Sequence, residues 1–405
     1  MKSQLSGPVQ NAINFIIDQG NYKTPPEISI SEGSQEGDGY SSKTYAVTIK
    51  DKNRNDSLNL FIKYLLDVVK EDWIDTLQSV YNAEHQFYGE IYPVLDKFQK
   101  SKHIKNPFDN VPKYFKVNLN NDDIKPIVLE NLRSLGYTLR DRKKIIDDAH
   151  LRLPIEAFAR YHAISYAMKD QEPENFKKLT AGVEDVFSKN YKKFGMDTMI
   201  KQCLNQFLNS LDQKMDQEML ERCKNLDEKL LQFFDDLVDN VDEYSALGQG
   251  DCWSNNMMFL YDEETNTPIN VKLIDWQCQR LSSPLLDFSY FFYTLATKKE
   301  LDNAEFYLNF YYDTLTQRIA ELGSDPNKVY PREIFIKHWR NFSLYGLCMA
   351  LCVLKVLLFD KDEIPNLMTT ESNAMEAFTM VIKNQDVYIE RLKDVVEYFM
   401  KHNLF

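Results

Sequence analysis

The sequence predicts an α+β protein with two lobes, a small β-rich N-terminal lobe and a larger, mostly helical C-terminal lobe. The chain of 405 residues is too long for one small hydrophobic core, so two units are the first expectation. Segments that alternate apolar and polar residues, as half-buried strands do, lie before residue 132, and helical periodicity dominates after residue 141. We therefore predict an N-terminal lobe over residues 1–132 and a C-terminal lobe over residues 133–405.

The composition is that of an ordinary folded protein, with 43% hydrophobic and 27% charged residues. The net charge of −13 argues against nucleic acid or an anionic membrane surface as a partner. The N-terminus lacks the apolar region of a signal peptide, and the most apolar run, residues 344–359, is interrupted by Lys355 and too short for a bilayer. We expect a buried helix there, no membrane span and a cytoplasmic protein. The sequence indicates no particular oligomeric state.

The cysteines are spaced neither as a disulfide framework nor as a zinc site, because no C-x-x-C pair occurs. We expect reduced thiols in the protein core, as in cytosolic proteins. They are Cys203, Cys223, Cys252, Cys278, Cys348 and Cys352.

Two half-buried strands are predicted near the N-terminus, over residues 27–31 and 45–50. The loop between them is rich in glycine, serine and acidic residues, and such a loop between strands can lay backbone N–H groups over nucleotide phosphates. Gly37 and Gly39 are its flexible points, and the hydroxyl of Ser41 is a further donor. A plain flexible hairpin loop is the alternative. No G-x-x-x-x-G-K-[ST] motif exists in the chain, so this is not a Walker loop.

A third strand, residues 58–64, carries Lys63 and is followed by a helix that places Glu84 beside its apolar face. One interpretation of this pair is a lysine that binds nucleotide phosphates and is held by a helix glutamate. Glu90, further along the helix, is the fallback for Glu84. The alternative for these residues is ordinary solvent-facing charge on a strand and a helix.

Residues 126–130 form an almost wholly apolar strand, preceded by a short β-like segment over residues 113–117. The strand ends in Glu130 and opens into a helical segment through Asn131 and Leu132. A buried strand of this kind suits a hinge between two lobes, where backbone groups can bind the edge of an adenine base. We therefore predict that these three residues form the nucleotide-binding hinge.

Helical patterns fill most of the chain after residue 141. The predicted helix over residues 153–168 has Pro154 in its first turn and carries His162, for which a hydrogen-bonded core position is a better interpretation than catalysis. The other predicted helices cover residues 196–210, 217–244, 286–296, 304–323, 331–358 and 372–402.

Residues 247–287 contain LGQGDCWSNN followed by a predicted β-hairpin. Asp251 and Asn256 lie on the turn-like segment, and Asp275 closes the second strand, so the hairpin returns Asp275 to the end that carries Asn256. Phosphoryl transfer needs a carboxylate that accepts a hydroxyl proton, and an Asn and an Asp that hold Mg²⁺ against phosphate oxygens. We assign Asp251 as the catalytic residue and Asn256 and Asp275 as magnesium ligands. The alternative is a solvated Asp/Asn-rich loop before a hairpin.

Taken in order, these motifs resemble those of the ecdysteroid kinase-like (CHK kinase-like) family, relatives of choline and aminoglycoside kinases. The resemblance covers residues 25–360, and its most specific parts are GDCWSNNMMF and the stretch from VLENL to HAIS. It implies a bilobal protein-kinase-like fold and ATP- and Mg²⁺-dependent phosphorylation of a hydroxyl group on a small molecule. A steroid such as an ecdysteroid, or a xenobiotic compound, is the acceptor that the family suggests.

The catalytic, magnesium, lysine–glutamate and hinge residues of the family match the positions named above, and the resemblance adds two supporting residues. Asp287, in SPLLDFSYFF, matches an aspartate that braces the catalytic loop from a following helix. Gln249 stands where the family usually has a histidine that supports the loop. This departure motivates an alternative function, a catalytically weak relative that binds nucleotide or a lipophilic ligand without efficient transfer. A protein kinase is a third hypothesis, disfavoured because no A-P-E segment or long activation loop follows Asp275.

Overall fold

The computed structural model describes residues 5–20, 22–33, 42–51, 57–65, 74–119, 125–237, 240–360, 363 and 380–405. Within these residues a four-stranded sheet and its helices form a small lobe, and helices with two small sheets form a large lobe. The fold class predicted from the sequence, a bilobal α+β protein, is confirmed.

The small lobe is built on one antiparallel sheet in which each strand pairs with the next strand in the sequence. Alternate apolar side chains of the sheet, such as Val47 and Ile62, pack in one cluster with Ile13 of the N-terminal helix. The elements are α1 Gly7–Gln19, β1 Glu27–Glu32, β2 Ser42–Lys50, β3 Ser57–Leu65, α2 Ile74–Gln86, a π-helix Phe87–Ile91, α3 Tyr92–Ser101 and β4 Ile127–Glu130.

The first strand is more exposed than its sequence pattern predicts. We expected a half-buried strand at residues 27–31, but every residue of β1 is exposed. Ile28 and Ile30 each have 41% of their surface exposed to solvent. Among the described residues, β1 is an edge strand whose one partner is β2. The alternation correctly predicts a strand, whereas burial depends on a covering layer that the described residues do not supply here.

The large lobe packs around the long helices α4 Asp148–Gln171, α10 Leu285–Leu295 and α14 Arg332–Leu357. Every residue of α10 is buried, which explains why its sequence is apolar on all sides. The remaining helices are α5 Pro173–Thr180, α6 Val186–Lys189, α7 Met196–Ser210, α8 Gln217–Arg222, α9 Leu226–Leu237, α11 Lys298–Asp302, α12 Ala304–Glu321, α13 Pro326–Val329 and α15 Gln385–His402.

Among the described residues, α14 is the one helix long and apolar enough to cross a membrane, but 78% of its most apolar window is buried inside the protein. The burial predicted for this apolar run is therefore confirmed. Lys355, near its end, is fully buried, and its Nζ donates to Oε1 of Gln206 at 2.7 Å.

All six cysteines are free thiols, as the sequence predicts. Five are buried, and Cys278 is half-buried. No disulfide therefore contributes to the stability of the described residues.

Two helices differ from their predicted bounds for identifiable reasons. α4 begins at Asp148 rather than at residue 153, because the side chain of Asp147 caps it by accepting a hydrogen bond from the N–H of His150 at 3.0 Å. Pro154 therefore lies inside the helix and not in its first turn. The single helix predicted over residues 217–244 is wrong: Asn225, with a left-handed φ of 59°, separates α8 from α9.

Two further predictions are corrected in part. The β-like segment at residues 113–117 forms no strand, only a single bridge from Tyr114 to Leu129. The last helix, predicted over residues 372–402, begins at Gln385. Residues 372–379 lie outside the described part of the chain, so this part of the prediction is not tested.

Two small antiparallel sheets of the large lobe carry the segment with Asp251, Asn256 and Asp275. One contains β5 Thr138–Leu139, β7 Met257–Tyr261 and β8 Pro268–Leu273, and the other contains β6 Ala246–Gly248 and β9 Arg280–Ser282. β7 and β8 form the predicted hairpin, with Met257 opposite Leu273. The residues just before β7 and just after β8 are therefore neighbours, as the sequence predicts.

Candidate active site

A cavity of about 230 Å³ lies between the sheet of the small lobe and the hairpin segment of the large lobe. Residues of β2, β3 and β4 line one side, and residues 251–277 line the other. The predicted site residues that line it are Lys63, Glu84, Glu130, Asn131, Leu132, Asp251, Asn256 and Asp275. Residues far apart in the sequence therefore meet at one cleft.

Lys63 joins the two lobes through its ammonium group. Nζ lies 2.6 Å from Oε2 of Glu84 and 2.6 Å from Oδ1 of Asp275. Burial alone would lower the pKa of Lys63, but the negative charges of Asp275 and Glu84 raise it above its ordinary value, so the lysine stays charged. The fallback partner Glu90 is exposed in the π-helix, and Glu84 takes the position beside the lysine.

Asp251 is held at both carboxylate oxygens. Nδ2 of Asn256 donates to Oδ2 at 2.8 Å, and the hydroxyl of Tyr290 donates to Oδ1 at 3.0 Å. Burial and, next, the negative charge of Asp275 raise the pKa of Asp251 to about 6. A fixed carboxylate with a raised pKa is the arrangement expected of a group that accepts a proton from a substrate.

Asp275 adopts a left-handed backbone conformation, with φ 61°, directly after the hairpin. Such a conformation is strained for a residue with a side chain and often marks a functional position. The N–H of Ile274 donates to the carbonyl oxygen of Asn256 at 3.0 Å, which ties the two ends of the hairpin together. Asp275 and Asn256 are thereby held at the same edge of the cavity.

The oxygen atoms at this edge fit a magnesium ion. Asp275 and Asp251 offer carboxylates, and Asn256 offers an amide oxygen because its Nδ2 is already engaged by Asp251. Mg²⁺ prefers such ligands and keeps several waters and phosphate oxygens, so few protein ligands are needed. Within the described residues, no group of three or more His, Cys, Asp or Glu side chains is placed to hold a metal ion.

The loop before Asp251 is supported from α10. Oδ2 of Asp287 accepts the N–H of Gln249 at 2.6 Å, and Oδ1 accepts the N–H of Gly250 at 3.1 Å. Burial would raise the pKa of Asp287, but the adjacent His162, the charge of Arg280 and the N–H of Gln249 hold this pKa below the usual range. His162 is a buried core histidine, with Nε2 3.3 Å from Asp287 and Nδ1 2.8 Å from the hydroxyl of Tyr311.

Gln249 makes a second connection within the site. Its Nε2 donates to the carbonyl oxygen of Ile274 at 2.8 Å, so it bridges the loop before Asp251 and the strand end before Asp275. Its Oε1 is buried and has no hydrogen-bond partner within the described residues. The glutamine thus supports the loop by donating a hydrogen bond from its amide. A histidine ring N–H at this position could donate in the same way.

The hinge residues line the cavity while their other groups hold the chain. The N–H of Glu130 donates to the carbonyl oxygen of Lys113 at 2.8 Å, and the N–H of Asn131 donates to the carbonyl oxygen of Asn59 at 3.0 Å. The side chain of Asn131 accepts the N–H of Arg133 and caps a 3₁₀ helix, Leu132–Leu135. The asparagine side chain therefore shapes the hinge locally, and contact between the hinge and a nucleotide base stays a prediction.

Gly37, Gly39 and Ser41 lie outside the described residues. The residues that flank this stretch, Gly33 and Ser42, both line the cavity. A Cβ on Gly33 would lie 2.8 Å from the backbone N of Tyr45, so no side chain fits there. The described residues on either side of this stretch therefore lie at the cavity, and contact of Gly37, Gly39 and Ser41 with phosphates stays a prediction.

Three residues that sequence reasoning missed contact this machinery. Tyr290 donates to Asp251, the ring of Trp276 stacks on Phe87 directly after the helix that carries Glu84, and Arg280 donates to the carbonyl oxygen of Gly250. Tyr290 lies three residues after Asp287, on the same face of α10, which is the one signal the sequence offered. Nothing in the local sequence marks the other two.

No curated protein matches the chain. Among solved structures, a GDP complex of a variant aminoglycoside 2'-phosphotransferase is 13% identical, covers 98% of each chain and has a TM-score of 0.43. A GDP and kanamycin complex of an aminoglycoside phosphotransferase is 12% identical, with 96% of this chain and 98% of that chain covered and a TM-score of 0.41. A glucosamine kinase is 9% identical, with 99% and 83% covered and a TM-score of 0.41. At these TM-scores the likeness is distant.

The model of the ecdysteroid kinase-like family matches residues 36–324, which is more than two thirds of the chain. The matched range includes Lys63, Asp251, Asn256, Asp275 and Asp287. The match confirms the resemblance drawn from the sequence motifs and the predicted enzyme class, a phosphotransferase with an alcohol group as acceptor. The chain belongs to the ecdysteroid kinase-like family.

Proposed function

We propose that this protein is an ATP- and Mg²⁺-dependent kinase that phosphorylates a hydroxyl group of a small molecule. The observation that carries the proposal is the single cleft in which Lys63, Asp275 and Asp251 meet, with Lys63 2.6 Å from Asp275 across the two lobes. Phosphoryl transfer depends mainly on positioning and on charge stabilisation, and this cleft offers a fixed cation and fixed carboxylates.

Asp251 is the group that orients the acceptor and takes its proton. The hydroxyl oxygen of the acceptor attacks the γ-phosphorus, the bond to the β–γ bridging oxygen breaks, and ADP leaves. The hydroxyl proton passes to the carboxylate of Asp251, whose position is fixed by Asn256 and Tyr290.

Asn256 and Asp275 are the residues that would hold Mg²⁺. When bound, the ion neutralises charge on the phosphate oxygens. Lys63, kept in place by Glu84, would bind the phosphates from the other side. Asp287 and Gln249 support the loop that carries Asp251.

We place the nucleotide-binding lobe at residues 1–132 and the lobe with the catalytic loop and acceptor site at residues 133–405. Glu130, Asn131 and Leu132 line the cavity, and in this proposal they supply the hinge for the base. The loop with Gly37, Gly39 and Ser41 would cover the phosphates.

The acceptor that we propose is lipophilic, such as a steroid of the ecdysteroid type or a xenobiotic alcohol. Trp253, two residues after Asp251, is among the residues that line the cavity, and an aromatic residue there suits an apolar hydroxyl compound. The family to which the chain belongs supports the same substrate class. The net charge of −13 disfavours nucleic acid as a partner, and we propose a cytoplasmic location.

The two alternative functions find less support. Gln249 bridges the loop and the strand before Asp275, so this substitution does not by itself favour a catalytically weak relative. A protein kinase would need a long segment after Asp275, but α10 begins at Leu285 after only a short 3₁₀ turn and β9.

The experiment measures ADP release from ATP and MgCl₂ with a panel of acceptors, comprising ecdysteroids, other steroid alcohols, plant-derived phenols and alcohols, choline, aminosugars and water. We expect turnover with a lipophilic alcohol, loss of turnover on chelation of Mg²⁺, and a fall of about 1,000-fold for Asp251→Asn. Lys192→Met, on the exposed surface beside Asp235, is a control that should leave turnover unchanged. A fully active Asp251→Asn protein, or no ATP consumption with any acceptor, would refute the proposed function.

A further inference from the structure

Arg280 carries a charge in the interior of the large lobe, with 1% of its surface exposed. It begins β9, and the pairing of β9 with β6 sets it directly opposite Gly248, just before the loop that carries Asp251. Its location suggests that the charge serves this loop.

The guanidinium of Arg280 connects three parts of the lobe. Nη2 donates to the carbonyl oxygen of Gly250 at 2.8 Å and to the hydroxyl of Tyr345 in α14 at 2.7 Å. Nη1 donates to Oγ of Ser188 in α6 at 3.3 Å and lies 3.4 Å from Oδ2 of Asp185, the residue that caps α6. The catalytic loop is thereby tied to α6 and α14 through one side chain.

The contact with Gly250 is decisive because this residue directly precedes Asp251. Its N–H donates to Asp287 at 3.1 Å and its carbonyl oxygen accepts from Arg280 at 2.8 Å. Its φ of 84° is left-handed, and a Cβ would lie 1.9 Å from the carbonyl oxygen of Cys278, so only glycine fits. A carboxylate and a guanidinium therefore hold Gly250 at its two polar groups and fix the direction in which Asp251 leaves the loop.

The energetics also favour a geometric function over a stabilising one. Removing an arginine from water is unfavourable, and a well-packed apolar side chain of similar volume is often equally stable. Within the described residues, Arg280 has one carboxylate at ion-pair distance, Asp185 at 3.4 Å, and its Nε has no hydrogen-bond partner. Because its charge is only partly paired, we expect Arg280 to contribute little to the free energy of unfolding. Its main effect is then to select one conformation of the loop that carries Asp251.

We propose that Arg280 is a positioning residue for phosphoryl transfer, which holds the Gly250–Asp251 peptide so that the carboxylate of Asp251 meets the acceptor hydroxyl. The proposal rests on the proposed function, because it requires Asp251 to act on an acceptor. Among the described residues, none of the hydrogen bonds of Arg280 involves Lys63 or the hinge. Loss of Arg280 should therefore lower kcat by about 100-fold, the cost of a small misplacement of a reacting group, while ADP affinity stays unchanged.

The test compares Arg280→Met with a matched control, Lys355→Met. Lys355 is another fully buried cation, but its Nζ bonds to Gln206 and it makes no contact with the catalytic loop among the described residues. For each variant, kcat is measured as ADP release from ATP and MgCl₂ with the best acceptor of the panel, water included. Calorimetry gives the Kd for ADP, and thermal unfolding gives Tm. Arg280→Met should lose kcat and keep its Kd, whereas Lys355→Met should keep both.

Arg280→Lys and Tyr345→Phe provide the test if Arg280→Met does not fold. A lysine keeps the charge, but its ammonium cannot reproduce the planar fork that reaches Gly250 and Tyr345 together, so kcat should fall at unchanged Kd. Tyr345→Phe removes one partner of the fork and should lower kcat less than Arg280→Lys. The same loss of kcat in Lys355→Met, or a parallel loss of ADP affinity, would indicate general destabilisation and overturn the proposal.

The Asp251→Asn protein distinguishes a failure of the proposed function from a failure of the proposal about Arg280. Full activity of Asp251→Asn would overturn the proposed function, and this inference with it. An inactive Asp251→Asn protein together with fully active Arg280→Met or Arg280→Lys would overturn only the positioning function of Arg280.

Discussion

The ring of Trp276 stacks on the ring of Phe87, with centroids 3.8 Å apart and planes 3° from parallel. Trp276 directly follows Asp275, and Phe87 directly follows α2, which carries Glu84. Beside the stack, Nε2 of Gln279 donates to the carbonyl oxygen of Ala83 in α2 at 2.7 Å. The turn after the hairpin and the helix of the small lobe are thus packed together, in the arrangement in which Lys63 contacts both carboxylates.

Trp276→Leu should weaken both stability and nucleotide binding. The substitution removes a fully buried aromatic stack, which should lower the free energy of unfolding by about 3 kcal/mol. It also frees α2, so that Glu84 no longer holds Lys63 and KM for ATP rises. Urea unfolding and steady-state kinetics measure the two effects. Trp276→Phe, which keeps a ring on Phe87, should lose less of each, and equal losses in both variants would contradict this account.

Glu84→Gln should reduce kcat/KM for ATP by about tenfold or more, because a hydrogen bond to a charged group contributes about 1.5 to 3 kcal/mol. Without the Glu84 charge, Lys63 stays bound to Asp275, 2.6 Å away, and is less available to phosphate. Glu90→Gln is the matched control, since Glu90 is an exposed glutamate of the same helical segment. The kcat/KM for ATP should be unchanged in the control. A larger loss in Glu90→Gln than in Glu84→Gln would mean that Glu90, and not Glu84, is the partner of Lys63.

Tyr290→Phe should lower kcat by about tenfold with little change in KM for ATP. The variant keeps the buried ring but removes the hydroxyl that donates to Oδ1 of Asp251 at 3.0 Å, so the carboxylate loses one of its two fixed contacts. Tyr312→Phe, which removes a hydroxyl bonded to the carbonyl oxygen of Tyr330 at 3.2 Å, is the control and should keep wild-type kcat. Wild-type turnover in Tyr290→Phe would show that Asn256 alone orients Asp251.

Asp287→Asn should destabilise the protein in a pH-dependent way. The pKa of Asp287 is held below its usual range in the folded state, so its contribution is fully present above the unfolded value of about 3.9 and is lost as the pH falls through the folded value. At about pH 7 the variant should lose about 3 kcal/mol, because His162 and two buried N–H groups lose their carboxylate partner. Urea unfolding from about pH 7 down to about pH 2 measures the difference, which should begin to shrink only below about pH 4. A difference that stays constant over this range would exclude the carboxylate charge as its cause.

Much of the fold could be predicted because the relevant signals are local. The period of the apolar residues identifies β2, β3 and the long helices, and the polar turn between two apolar runs identifies the β7–β8 hairpin. The failures lie where local signals compete with context. Asn225 separates two helices within one helical pattern, and β1 is exposed because no layer of the described residues covers it.

By itself the sequence predicted a set of side chains suited to phosphoryl transfer, because acid, amide and lysine groups stand at recognisable positions relative to predicted strands and helices. Only the tertiary structure decided what holds them in place. Arg280 meets Asp185 and Tyr345, and Trp276 meets Phe87, across long separations in the chain. Such pairs leave no periodic trace in the sequence, because they depend on how complete elements pack. The identity of these chemical groups can therefore be predicted from local sequence, whereas their mutual orientation depends on how the lobes pack.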